Sequence, residues 1–333
     1  MPCMLLLGAG FSRNWGGWLA TEAFEYLLGC PEITANPFLS DLLWRSQQSG
    51  GFENALAELQ VMAQRDPARG SDLQVLQGAI GGMFNLMNNG FERLQNFEPA
   101  AGDGVRRFLT RFDAIFTLNQ DLLLEYQYLS LDVGLLSNAA QRRRLAGSEF
   151  PGMRPLNDMT QFPWRVWVNR WAPRPEEEFR VEPGFQPVIK LHGSSNWQQN
   201  NDGGAMLIMG GNKAREIGLV PVLQWYQQLF REYLCRGDTR LMVIGYGFRD
   251  DHINEVIVDA VNNHGLKLFV VSPDGADHAR KIAPTRGAVI VERTALEDAF
   301  QRGVTGASRR SLHETFNGRE TIELSKLYRF TDA

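Results

Sequence analysis

The chain opens with a short apolar run that ends in glycines. Residues 4–7 are Met-Leu-Leu-Leu, and Gly8-Ala9-Gly10 follows them directly. An unbroken apolar run of this kind is typical of a strand that a parallel sheet buries on both faces. Residues 18–28 then have helical character. The N-terminal pattern therefore predicts a strand, a glycine-rich turn and a helix.

Similar apolar runs recur along the chain, and helical segments separate several of them. Amphipathic helices are predicted over 122–129 and 221–235. Strands that alternate with helices require right-handed crossovers and hence a mainly parallel sheet covered on both faces. The sequence thus predicts an α/β, Rossmann-like fold with about six strands. The five later strands are expected at 112–117, 188–193, 240–245, 267–274 and 287–291.

Two long segments interrupt this alternation. Residues 30–105, approximately, form a helical insertion with candidate helices near 38–48, 52–65 and 71–98. Within it, the apolar residues at 52, 55, 56, 59 and 62 share one helical face, which predicts burial in the core. Residues 131–187 are irregular and are interpreted as a second insertion or a partner-facing surface. No linker separates these segments, so the chain 1–333 is expected to form a single domain.

Composition excludes several classes of partner. The 333 residues are 44% hydrophobic and carry a formal net charge of −4, so the chain can bury a full core and has no global basic field. Direct binding to nucleic acid or to an anionic membrane is therefore not expected. No apolar run approaches the ~18 residues that a membrane helix needs. The apolar start is also too short for a secretory signal.

The three cysteines, Cys3, Cys30 and Cys235, are scattered and form no Cys-x-x-Cys pair. This spacing argues against a disulfide framework and against a structural zinc site. A reducing, cytoplasmic location fits best.

Candidate chemistry lies where the predicted strands end, which is the edge at which open α/β sheets bind ligands. Glycines at 8 and 10 let the backbone approach a diphosphate, and Ser12 and Asn14 would add side-chain donors. A tight turn without a ligand is the alternative. The glycine spacing disfavours a dehydrogenase-type Rossmann half, and the absence of a Gly-Lys-Ser/Thr sequence excludes a Walker A loop.

Other polar motifs leave alternatives open. Asn119 and Asp121 follow the second strand and could be ligand-binding residues or only a helix N-cap. Residues 142–144, Arg-Arg-Arg, are a solvated charge run or a phosphate site. Residues 250–252, Asp-Asp-His, suggest a metal, but neighbours at the start of a helix point in different directions, which favours capping. We therefore expect no metal.

In this order, the motifs resemble those of the sirtuin family. Sirtuins carry Gly-Ala-Gly-x-Ser, Thr-x-Asn-x-Asp, a catalytic His-Gly and a glycine-serine turn on one Rossmann-like sheet that binds NAD. The resemblance spans about residues 2–292 and implies a sirtuin-like catalytic domain. It also implies three groups of site residues. These are Gly8, Ala9, Gly10, Phe11, Ser12 and Asn14 at the diphosphate; Thr117, Asn119, Asp121 and the catalytic base His192 at the nicotinamide ribose; and Gly245, Tyr246, Gly247, Ser272 and Asp274 at the adenosine half.

Departures from the sirtuin pattern refine this resemblance. The zinc ribbon is missing, and Gly-Tyr-Gly-Phe stands at 245–248 where sirtuins have Gly-Thr-Ser. In these features the chain resembles the prokaryotic sirtuin-like NADases of antiphage defence, which cleave NAD instead of deacylating proteins. The resemblance implies NAD as substrate and no metal. A pKa near neutrality is expected for His192, as suits a general base.

Three functions therefore remain open. The leading hypothesis is an NAD glycohydrolase that a partner or oligomerisation triggers, because unregulated NAD cleavage would harm the cell. The second is an NAD-dependent protein deacylase. The third is a non-catalytic nucleotide-binding subunit of a complex with a DNA-translocating ATPase or another nucleic-acid sensor. Tryptophans at 164, 167 and 171 suggest an aromatic surface for a homo-oligomer or partner.

Overall fold

The computed structural model describes residues 1–48, 50–98, 103–129, 145–156, 170–199, 205–210, 213–282 and 293–332. The strands are β1 (Cys3–Leu7), β2 (Ala114–Thr117), β3 (Leu145–Glu149), β4 (Met153–Pro155), β5 (Trp171–Pro173), β6 (Phe185–Lys190), β7 (Gly193–Gln198), β8 (Ala205–Leu207), β9 (Arg240–Ile244), β10 (Lys267–Val271) and β11 (Val304–Ser308).

The α-helices are α1 (Ala9–Arg13), α2 (Ala20–Leu28), α3 (Pro31–Thr34), α4 (Pro37–Ser46), α5 (Gly51–Arg65), α6 (Gly70–Glu92), α7 (Asp103–Leu109), α8 (Leu123–Gln127), α9 (Lys213–Ile217), α10 (Pro221–Leu234), α11 (Asp251–His264), α12 (His278–Ile282), α13 (Ala295–Gly303), α14 (Leu312–Thr315) and α15 (Thr321–Asp332). Short 3₁₀ helices cover Pro67–Arg69, Glu176–Glu178 and Gly275–Asp277. None of the helices in the described ranges is long and apolar enough to cross a membrane.

A parallel sheet forms the centre of the molecule. Its seven strands lie in the order β11-β10-β9-β1-β2-β6-β3, and every pair of neighbours is parallel. All five residues of β1 are buried, as are all four of β2 and all five of β9. Strands enclosed on both faces need continuous apolar runs, which is why the sequence pattern located them. The predicted α/β, Rossmann-like fold with a mainly parallel sheet is confirmed.

The strand order creates a switch point beside β1. The chain leaves β1 towards β2 on one side and returns later to β9 on the other. At such a point the loops after the two central strands separate and open a crevice at their carboxyl ends. The loops after β1 and β9 are the two glycine-containing turns of the sequence.

The segment between β1 and β2 is helical over its described residues. In α5, Phe52, Ala55, Leu56 and Leu59 are buried, so the predicted apolar face does pack into the core. The helix predicted over 18–28 is confirmed as α2, and a short helix that was not predicted precedes it. A five-residue helix, α1, starts directly after Gly8, and α2 begins only at Ala20.

A second sheet occupies part of the segment that the sequence predicted to be irregular. Strands β4, β5, β7 and β8 form a four-stranded mixed sheet. Trp171 on β5 is 5% exposed and packs edge-on against Phe150, so it belongs to the core and not to an aromatic surface. Trp164, Trp167 and the arginines at 142–144 lie outside the described residues.

The edge of the parallel sheet also differs from the prediction. The strand expected at 287–291 lies outside the described residues, whereas β11 pairs with β10 at Val304–Ser308. The sequence of β11 is Val-Thr-Gly-Ala-Ser, which contains no apolar run. An edge strand has only one strand neighbour, so it does not need the continuous hydrophobicity by which the central strands were found.

A buried ion pair fixes the loop after β2. The Lys190 ammonium, on β6, donates to Glu125 Oε1 at 2.6 Å and to the Asp121 carbonyl at 2.7 Å. Both side chains of the pair are at most 2% exposed. Burial raises the pKa of the Asp121 and Glu125 carboxyls, and the nearby Lys190 charge opposes that rise. The pair therefore ties β6, α8 and the Asn119–Asp121 loop together.

Candidate active site

A cavity of about 1100 Å³ opens at the switch point between β1 and β9. It is larger than the ~300–1,000 Å³ of most small-molecule pockets, which leaves room for a dinucleotide. Most residues that the sequence singled out line it, although they come from five different loops. The lining includes Gly8, Ala9, Gly10, Asn14, Asn119, Asp121, His192, Gly245, Tyr246, Gly247 and Ser272.

The two glycine turns pack against each other at the cavity wall. Gly10 N donates to Gly245 O at 2.8 Å, and a Cβ on Gly10 would lie 2.7 Å from Gly245 Cα. Gly245 has φ +64°, and a Cβ there would lie 2.3 Å from Phe11 N. These glycines are therefore required by the contact between two backbones. A valine at position 10 would disturb the fold before it could obstruct a diphosphate.

Several predicted binding residues are turned into the protein. Phe11 and Thr117 are buried at 1% exposure, Ser12 at 2%, and none of them lines the cavity. Asn14 Nδ2 donates to the carbonyls of Gly10 and Phe11, and its Oδ1 accepts from Leu312 N. The Asn14 amide therefore links α1 to α14 although the residue lines the cavity, and its contact with a diphosphate stays a prediction. The Ser12 hydroxyl accepts from Asn119 Nδ2 inside the protein, so the expected contact of Ser12 with a diphosphate is wrong.

Asn119 lies at the cavity wall directly after β2. Its Nδ2 donates to Gly8 O and to Ser12 Oγ, both at 3.0 Å. The amide nitrogen thus links the β2 loop to the β1 loop. The side-chain carbonyl is the acceptor that Asn119 can offer to a ribose hydroxyl or to a water molecule.

The two residues after Asn119 have different roles. Gln120 Nε2 donates to the carbonyls of His192 and Ile208, which fixes the backbone of the His192 loop. Asp121 Oδ1 accepts from Leu123 N at 3.0 Å, so the carboxylate satisfies the first backbone amide of α8. The same residue also lines the cavity. The capping and binding interpretations of this motif are therefore compatible.

His192 occupies the turn between β6 and β7. It is 3% exposed, and its Nε2 lies 3.1 Å from Nε2 of His252, so one ring donates a hydrogen and the other accepts it. Burial lowers the pKa of His192 to about 3, with the Asp250 carboxylate opposing the shift and the Lys213 charge adding to it. The expected near-neutral pKa is thus wrong, and the imidazole is uncharged at physiological pH.

Sequence reasoning missed the group of residues that faces His192. Asp250 Oδ1 accepts from Lys213 Nζ at 2.8 Å, and Lys213 also pairs with Glu53 at 2.7 Å. Asp250 precedes α11, but its side chain accepts no capping hydrogen bond. Asp250 is thus at the predicted N-cap position of α11, but its carboxylate pairs with Lys213 instead of the helix amides. A lysine 37 residues away in sequence was the missing partner, and nothing local indicated it.

The loop after β9 shapes the opposite wall. Tyr246 is 5% exposed, and its hydroxyl accepts from Asp250 N and contacts Asn254 Oδ1 at 3.2 Å, which positions the start of α11. Burial raises the pKa of Tyr246 well above its usual range. Ser272, after β10, also lines the cavity, and its hydroxyl accepts from Gly275 N. Asp274 is not among the lining residues, and its Oδ2 lies 3.5 Å from Nδ1 of His278.

Three of the arginines that line the cavity belong to weak, exposed ion pairs. These are Arg13, Arg309 and Arg310. They pair with Glu22, Asp277 and Glu314 respectively, and each guanidinium is at least half exposed. Exposed pairs of this kind are weak, so these arginines can turn to a phosphate. No sequence pattern indicated Arg309 and Arg310, because they follow strand β11, which was not predicted.

The depressed pKa of His192 predicts acid sensitivity of the fold. The unfolded chain takes up a proton near pH 6.5, whereas the folded chain resists it until about pH 3, so this contribution to stability is complete above pH 6.5 and is lost as the pH falls. Between pH 7.5 and 5.0, the free energy of unfolding of wild type is expected to fall by about 2 kcal/mol through His192. This loss should be absent in His192→Gln.

Urea unfolding at the two pH values measures this difference. His264→Gln, which changes an exposed histidine, is the control and should follow wild type. An identical loss in wild type and His192→Gln would show that His192 is not held neutral by the fold.

Comparison with known proteins identifies the family. A family model described as the SIR2-like domain matches residues 113–290, which is more than half of the chain. The match begins just before β2 and includes Asn119, His192 and the loop after β9. A search of curated proteins finds no match. The chain therefore belongs to the SIR2-like family of NAD-utilising enzymes.

Proposed function

We propose that this chain is an NAD glycohydrolase that cleaves NAD to nicotinamide and ADP-ribose. The observation that carries the proposal is the meeting of Asn119 and His192 in one cavity at the switch point of the sheet. One side chain offers an acceptor for a hydroxyl or water, and the other is an uncharged imidazole. Such groups can orient a nucleophile and take up its proton during hydrolysis of an N-glycosidic bond.

The cavity fits NAD in size and charge. Its volume suits a dinucleotide, and the arginines at 13, 309 and 310 line the same cavity as the glycine turns, which makes them available to a diphosphate. His192 and Asn119 line the same cavity and would face the nicotinamide ribose. The proposal treats residues 1–333 as one catalytic domain, which is supported by contacts between the chain ends: Arg240 donates to the carbonyls of Met1 and Phe330.

The reaction balances with these residues alone. The bond between ribose C1′ and the nicotinamide nitrogen breaks, and its electron pair leaves with nicotinamide. Water gives a hydroxyl to C1′, and its remaining hydrogen departs as a proton. Asn119 would orient the water or a ribose hydroxyl, and His192 would accept the proton. Burial keeps His192 neutral before the step, as a proton acceptor must be, and the Asp250 carboxylate offsets part of the burial that lowers its pKa.

One assay separates the three candidate functions. Purified protein is incubated with NAD, with and without an acetylated peptide. Nicotinamide and ADP-ribose formed without peptide support the glycohydrolase, and turnover that depends on peptide would identify a deacylase. No cleavage under either condition across a concentration series in which the chain assembles, with NAD still bound, would favour a nucleotide-binding subunit.

Asn119→Ala is expected to leave a folded protein that no longer cleaves NAD. Loss of one oriented contact in such a site costs about 3 kcal/mol of transition-state stabilisation, or roughly a hundredfold in turnover. The matched control is Asn88→Ala. Asn88 is buried and also holds the β2 loop, through Leu122 N, but it does not line the cavity.

The two variants are compared by nicotinamide release and by circular dichroism. Asn88→Ala should be less stable than wild type and still cleave NAD. Wild-type turnover by a folded Asn119→Ala would remove this residue from the site.

The cellular role that follows is depletion of NAD in a triggered antiphage response. Continuous cleavage would consume the cell's own NAD, so the activity requires a trigger. A homo-oligomer or a phage-sensing partner such as a DNA-translocating ATPase would supply it. Cleavage by the purified chain, measured alone across a concentration series, tests this role, because activity that rises with assembly supports an oligomeric trigger.

A further inference from the structure

The cluster beside His192 has the composition of a transition-metal site. His192, His252 and Asp250 each offer one ligand atom, and these three atoms lie within 4.8 Å of one another. Two imidazoles and one carboxylate form a ligand set that zinc uses in proteins when it keeps an open fourth position. The open position here would face the cavity, because all three residues line it.

The two imidazoles are already placed for a shared ion. Zinc binds imidazole nitrogen at about 2.0–2.1 Å, so two tetrahedral nitrogen ligands lie about 3.3 Å apart. The Nε2 atoms of His192 and His252 are 3.1 Å apart. To hold a cation in place of the shared hydrogen, the two Nε2 atoms therefore need to move apart by only about 0.2 Å.

Asp250 can turn from Lys213 to a cation without leaving the Lys213 ammonium unpaired. Asp250 holds Lys213, but Lys213 keeps a second carboxylate partner in Glu53 at 2.7 Å. If Asp250 turned to a cation, the ammonium would remain paired. The charges of Asp250, Glu53 and Lys213 sum to −1, so a divalent cation would enter a site of favourable charge.

We propose that a zinc-type divalent cation binds His192, His252 and Asp250 and thereby inhibits the enzyme. The cation occupies the Nε2 lone pair of His192, which then cannot accept a proton. Binding stands on this geometry alone, whereas the inhibitory effect rests on the proposed NAD cleavage. The site thus differs from a metal cofactor, because the hydrolysis is fastest when the metal is absent.

The test uses Co²⁺ as a spectroscopic probe and Zn²⁺ as the inhibitor. A second cluster among the described residues, Cys235, Asp259 and His264, could also hold a metal, so the parent protein for the titration is His264→Ala. Co²⁺ is expected to bind this parent with one equivalent and the visible absorption of a tetrahedral site. His252→Ala and Asp250→Asn, each added to the parent, should weaken binding at least about tenfold.

Activity is then measured on the same proteins. Micromolar Zn²⁺ should suppress nicotinamide release by the parent, a chelator should restore it, and Mg²⁺ should have no effect. Failure of Co²⁺ to bind the parent, or equal binding by the parent and both variants, overturns the proposal and leaves the NADase assignment intact. Specific Co²⁺ binding without any NAD cleavage in metal-free protein would instead confirm the site and reject the proposed function.

Discussion

His192→Ala is expected to abolish NAD cleavage while NAD still binds with similar affinity. The imidazole lies at the wall of the cavity and is held by contacts that do not involve the diphosphate end. Loss of a general base typically costs 10²–10⁴-fold in rate, so turnover should fall by about this factor. Nicotinamide release measures the chemical step, and calorimetric titration with NAD measures binding.

The control for this substitution is His264→Ala, which removes an exposed histidine from the end of α11. It should match wild type in both measurements. Release of nicotinamide by His192→Ala at the wild-type rate would reject the proposed mechanism. Loss of NAD binding together with activity would assign His192 to binding instead of proton transfer.

The second large effect is expected from the buried ion pair beneath the site. Lys190→Met leaves the Glu125 carboxylate without its cation in a place where it is 1% exposed. Breaking a buried pair from one side costs about 3–5 kcal/mol, so the free energy of unfolding at pH 7 should fall by that amount. Urea unfolding followed by circular dichroism gives the value.

The double variant Lys190→Met/Glu125→Gln provides the matched comparison. Removing both charges eliminates the uncompensated carboxylate, so the double variant should be more stable than Lys190→Met alone. Equal stability of the two would show that Glu125 is not ionised in the fold. A Lys190→Met variant as stable as wild type would show that the pair contributes nothing to the loop that carries Asn119.

The sequence predicted the central part of the fold well for a physical reason. Strands β1, β2, β6, β9 and β10 are enclosed on both faces, and such strands must be apolar without interruption. The same reason explains the failures. Edge strand β11 and the short strands β4, β5 and β8 have no such requirement, and they left no pattern to detect.

The candidate site was predicted as a set of positions but not as a network. Polar residues at the carboxyl ends of parallel strands meet at one edge, so Asn119, His192 and the glycine turns could be grouped from sequence. Their partners could not. Asn14 is held by Leu312, which is 298 residues away, and Asp250 by Lys213.

The sequence by itself determined the parallel α/β core and the loops that carry the chemistry, because burial and backbone turns impose their requirements on adjacent residues. Only the tertiary structure decided the protonation state of His192, its pairing with His252 and the inward orientation of Ser12. These properties depend on desolvation and on contacts between distant segments. Neither desolvation nor contacts between distant segments can be inferred from the spacing of residues along the chain.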